Sequence, residues 1–148
     1  MKWQAPAGGG GKVLQVVEGT TTTYASSTSA TYADTNLTAT ITPSSNTSKI
    51  LVLVSQQASA SGNNSNHGMV GLRLLRGATT IQTMDYMQGL VSNAFTLGSA
   101  QSLLKLDSPN TTSAVTYKTQ FARPTGVGEA QVNNGADAST IVLMEIGA

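Results

Sequence analysis

Lys49-Ile50-Leu51-Val52-Leu53-Val54-Ser55-Gln56 is the stretch that decides the fold. It is short, rich in β-branched residues, and closed off upstream by Thr42-Pro43-Ser44-Ser45-Asn46-Thr47-Ser48, a cluster of turn formers. Its apolar run does not alternate, so it reads as a strand buried on both faces. One face would meet the domain core and the other a neighbouring subunit. Thr140-Ile141-Val142-Leu143-Met144-Glu145-Ile146 has the same character near the other end of the chain.

Working outward, further strands are expected on either side. Lys12 to Glu18 is β-branched and ends at Gly19, read as a stop. Leu37, Ala39 and Ile41 alternate with Thr38 and Thr40, the period of a half-buried strand. Met69 to Arg76 and Thr79 to Thr83 flank Gly77-Ala78 as a hairpin. Ala94 to Leu97, Gln101 to Leu106, Val115 to Ala122 and a short piece within Gly128 to Asn133 complete the set. Thr20 to Ser29 reads as a polar edge strand or an ordered loop, and Tyr86 to Ala94 as the one place for a helical turn. About ten short strands with turn signals roughly every 8–12 residues predict an all-β protein, a sandwich or barrel.

The front end is different. Met1-Lys2-Trp3-Gln4-Ala5-Pro6-Ala7-Gly8-Gly9-Gly10-Gly11 carries one aromatic residue, a proline and four consecutive glycines. Such a glycine run is a joint. The organisation expected is an N-terminal arm over residues 1–11 and a β head over residues 12–148. Trp3, with Gln4 and Pro6, is the candidate anchor of that arm on a partner protein. Gly8 to Lys12 does not make a phosphate-binding loop. Pro6 stands where its first glycine should be and Val13 where its hydroxyl should be.

Composition narrows the function classes. The chain has 148 residues, a net charge of +1 and 10% charged residues, against roughly 25% in ordinary soluble domains. It offers no basic face for nucleic acid. Cysteine is absent, which excludes disulfides, thiol catalysis and thiolate metal sites. No segment approaches the ~20 apolar residues of a membrane-spanning helix, and no secretory signal is evident. The single histidine, His67, lies in the polar loop Gly62 to Gly68, without an evident catalytic partner. Its ordinary reading is a solvent-exposed loop residue. The seven acidic residues are scattered. Asp34, Asp107 and Asp137 lie next to turn signals, where Asp usually shapes backbone. No catalytic, cofactor or metal constellation stands out, so a non-enzymatic role is expected. The candidate ligand-contacting residues are polar loop side chains: Asn64, His67, Tyr86 and Arg123.

Four blocks taken together carry a resemblance. They are Gly9-Gly10-Gly11-Lys12-Val13-Leu14-Gln15-Val16-Val17; Tyr32-Ala33-Asp34-Thr35-Asn36-Leu37-Thr38-Ala39-Thr40-Ile41-Thr42-Pro43; Ser48 to Val54; and Ser139 to Ile146. In order and spacing they resemble a domain of tailed-bacteriophage virion proteins that often closes tail fibres or similar appendages. That family is similar to the trimeric jelly rolls of the complement and tumour-necrosis-factor type. The resemblance implies a jelly-roll-like β-sandwich, a homotrimer, and a virion protein made in the host cytoplasm. The strands of Ile50, Val52, Val54, Ile141 and Leu143 are then the expected trimer interface. Met1 stands only about a dozen residues ahead of the head, with no heptads or collagen-like triplets between. The expectation is therefore a capsid decoration (cement) protein or short head fibre, held by its arm to the major capsid protein or another virion protein. The alternative is a tail-fibre tip or adhesin that recognises host surface glycan.

Overall fold

The computed structural model describes residues 11–62, 67–85 and 96–147. Among these residues there are ten strands and no helix: β1 (Val13–Thr21), β2 (Ala25–Ser27), β3 (Ala33–Ile41), β4 (Lys49–Ser61), β5 (Gly71–Arg76), β6 (Thr79–Met84), β7 (Thr96–Asp107), β8 (Val115–Ala122), β9 (Ala130–Val132) and β10 (Ser139–Ile146). They form two antiparallel sheets. The larger runs β1-β10-β4-β9-β2, with β7 also paired to β4; the smaller runs β3-β8-β5-β6. Packed face to face, they make a jelly-roll-like β-sandwich.

β4 organises the larger sheet. β7 covers one of its edges from Ile50 to Ser61. The opposite edge is shared, with β10 along Lys49 to Ser55 and β9 along Ala58 to Ala60. The core between the sheets is built from Leu37 and Ile41 of β3, Leu72 and Leu74 of β5, Tyr117 and Phe121 of β8, and the inward residues of β4 and β10. Each such large side chain contributes roughly 1.5–3 kcal/mol on burial.

Those inward residues correct one expectation. Ile50, Val52, Ile141 and Leu143 are 0% exposed and Val54 is 4% exposed within a single chain. Their side chains are consumed by the chain's own core and cannot form a trimer interface. The reason is the two-residue period of a strand, which an all-apolar run conceals. Leu51, Leu53, Val142 and Met144, the alternate set, point outward and are only partly buried.

Other boundaries differ for identifiable reasons. β1 does not stop at Gly19 but continues to Thr21, paired with β10 throughout. A Cβ at Gly19 would run into the carbonyl oxygen of Thr38 in the facing sheet, so this glycine permits close packing. The two strands expected around Gly98 are one strand, β7, because β4 extends to Ser61 and supplies a partner along its whole length. The Gly77-Ala78 turn is present, with Gly77 at φ 57°. The polar run from Thr20 gives its first two residues to the end of β1 and contributes β2, paired to β9. The helical turn expected at Tyr86 to Ala94 falls on residues outside those described.

Candidate functional site

The two outer faces of the sandwich have opposite chemistry. On the larger sheet, cross-strand rows place Val16, Met144, Leu51 and Leu106 side by side, and Glu18, Val142, Leu53 and Leu104 in the next row. Val16 is 56% exposed, Leu104 61% and Leu106 51%. Leu53, Ser55, Ser102, Leu104, Thr140 and Val142 line a shallow depression on this face. Contiguous exposed apolar surface is uncommon on proteins that act as single chains.

The outer face of the smaller sheet is polar and ordered by pairing. Lys118 Nζ donates to Asp34 Oδ2 at 2.9 Å, and Gln120 Nε2 donates to Asp34 Oδ1 at 2.6 Å. These two hydrogen bonds, Gln120's first, hold the Asp34 carboxyl below its ordinary range. Arg73 donates through Nε (2.8 Å) and Nη2 (2.5 Å) to Gln120 Oε1. Its guanidinium lies 4.3 Å from the centre of the Tyr32 ring, and the Tyr32 hydroxyl donates to Asp85. Asp34 is thus a strand residue paired across β3 and β8, not a turn residue. Asp107 is likewise in a strand, where Arg76 Nη1 donates to both its oxygens at 3.0 and 2.9 Å.

Inside the sandwich, polar side chains satisfy one another. Gln56 Nε2 donates to Ser139 Oγ (2.8 Å), Ser139 Oγ to Asn133 Oδ1 (2.5 Å), and Thr119 Oγ1 to Gln56 Oε1 (2.9 Å). Ser139 is 0% exposed, so this hydroxyl is out of reach of a substrate. Glu145 is also 0% exposed. Burial pushes its carboxyl up. Hydrogen bonds donated by Ser44 Oγ (2.6 Å), Gln15 Nε2 (2.6 Å) and the Ser44 backbone N–H (2.7 Å) prevail and hold it at about 2.

Of the loop candidates, His67 is exposed and its carbonyl accepts from the Val127 N–H at 3.1 Å. Arg123 Nη1 donates to the Gly128 carbonyl at 2.9 Å, bracing its own loop. A bridge between Gly68 and Gly126 brings these two loops together at one end of the sandwich. Asn64 and Tyr86 lie outside the described residues, as do Trp3, Gln4 and Pro6 of the arm. Among the described residues no three His, Asp or Glu side chains come together in a metal-holding group. The cluster of Tyr32, Asp34, Arg73, Lys118 and Gln120 was not anticipated. The alternation of Val115 to Ala122 does put Lys118 and Gln120 on one face, but the pairing to Asp34 depends on strand order. No protein-family model matches the chain, and no curated protein matches it.

Proposed function

We propose that this chain is a non-enzymatic structural protein of a tailed-phage particle, working as a homotrimer whose β head is held to another virion protein by the N-terminal arm. The observation that carries the reading is the apolar outer face of the larger sheet, with Val16, Leu104 and Leu106 each more than half exposed. In a chain with 10% charged residues, such a face calls for a second copy to cover it. The trimer contact is accordingly assigned to Val16, Leu51, Leu53, Leu104, Val142 and Met144. The resemblance of the four sequence blocks supplies the virion context and the number three. Three arms on one trimer would bind with avidity, so each contact of Trp3, Gln4 and Pro6 with the capsid or another virion protein can be weak. The form proposed is a capsid decoration protein or short head fibre.

A receptor-binding tip is the second reading, favoured by the joining of the His67 and Arg123 loops at one end of the sandwich. Locating the protein in an averaged image of the intact particle separates the two. Density on the capsid lattice, lost when residues 1–11 are deleted while the purified head stays trimeric, is expected. Density at the tail's end would replace the decoration reading with the adhesin one, and absence from the particle would overturn both.

A further inference from the structure

We infer that the cleft where β3 bulges away from β8 binds the hydroxyl groups of one neutral sugar unit. The register between these strands runs Asp34↔Gln120 and then Thr38↔Lys118, so four steps on β3 span two on β8. The extra residues form a bulge with Asn36 at its apex, in the left-handed region at φ 66°. The bulge is fixed from inside. Thr35 and Leu37 are turned inward and 0% exposed. Thr35 Oγ1 lies 2.5 Å from Thr119 Oγ1 and accepts from the Leu37 N–H at 3.1 Å.

The result is a cavity of about 290 Å³ lined by Asp34, Asn36, Leu37, Thr38, Lys118 and Thr119. That is near the lower end of the range for small-molecule sites, about 300–1,000 Å³, and suits one ring. Asp34 and Lys118 side chains, 50% and 30% exposed, form the rim. Each Asp34 oxygen accepts one bond from within the protein and keeps capacity for another, and the Lys118 ammonium has further protons to give. The rim is preorganised, because Gln120 holds Asp34 and Arg73 holds Gln120.

The mixture of groups selects the ligand class. A hydroxyl both donates and accepts, so neighbouring hydroxyls fit a carboxylate beside an ammonium and an amide. A phosphate would be repelled by Asp34. A calcium ion seeks six to eight oxygen ligands and would find one carboxylate here. An added peptide strand needs a regular edge, which the bulge interrupts. This inference does not depend on where the protein sits on a particle.

The test is an NMR titration of the ¹⁵N-labelled full chain with glucose, galactose, mannose and N-acetylglucosamine, and with inorganic phosphate as the contrasting probe. At least one sugar is expected to shift amides confined to residues 34–38 and 118–120. Asp34→Ala is expected to weaken that sugar about tenfold or more, the loss of about 1.4 kcal/mol. Asn36→Gly, which keeps the left-handed backbone, is expected to weaken it as well, with the rest of the spectrum unchanged. No shift with any sugar would overturn the inference. So would shifts centred on His67 and Arg123, shifts indifferent to both variants, or tighter binding of phosphate at the same residues.

Discussion

The Tyr117 hydroxyl donates to Asp107 Oδ2 at 2.7 Å, and this bond joins β8 of the smaller sheet to β7 of the larger one. Burial, reinforced by the neighbouring carboxylate, pushes the Tyr117 hydroxyl well above its ordinary range, so it stays a donor across any usable pH. Tyr117→Phe leaves Asp107 paired with Arg76 but removes a donor from a nearly buried carboxylate. The expected cost is about 1–3 kcal/mol in chemical denaturation. An unchanged midpoint would mean that Arg76 alone satisfies Asp107.

Glu145 makes stability depend on acid. Its ordinary value is 4.5 and the fold holds it at about 2. A depressed carboxyl contributes stability that is present above 4.5 and is lost as pH falls toward about 2. Thermal melts of the wild type are expected to drop across that window. Glu145→Gln, less stable at neutral pH, is expected to show a shallower drop there. Asp34 is also depressed but lies at the surface, so its share is the part that salt reduces.

Gly19 sits against the Thr38 carbonyl of the facing sheet. Gly19→Ala forces the sheets apart at that point and is expected to cost about 1–3 kcal/mol by overpacking. A melting temperature equal to the wild type's would show that β1 can shift without loss.

Leu104 is 61% exposed and Val142 is partly buried in the same cross-strand row. Because neither is in the core, the double change Leu104→Glu and Val142→Glu should leave each chain folded. Sedimentation velocity is expected to find trimers of the wild type and monomers of the variant, with similar circular dichroism. A monomeric wild type would remove the trimer from the proposed function.

Much of the sandwich was readable from residue order. The alternation of Leu37, Ala39 and Ile41, the Gly77-Ala78 turn and the strand ending at Ile146 all correspond to elements of the structure. What the sequence concealed is what depends on partners distant in the chain. An unbroken apolar run such as Ile50 to Val54 carries no mark of which side faces in; only pairing with β10 and β7 assigns it. Asp34 looked like a turn residue because its partners, Lys118 and Gln120, are more than eighty positions away. Gly19 looked like a stop because the backbone that demands a glycine there belongs to the other sheet.

The shared edge of β4 has a consequence for how the molecule is made. β10 occupies the stretch from Lys49 to Ser55 and, among the described residues, is also the one strand paired with β1. On a ribosome, β4 and β1 are synthesised long before β10 emerges. Until then an apolar strand edge stands open, and such an edge is a template with which a neighbouring nascent chain can pair. Closure over so long a separation is slow, so the last strand competes for that edge with any stranger that reaches it first.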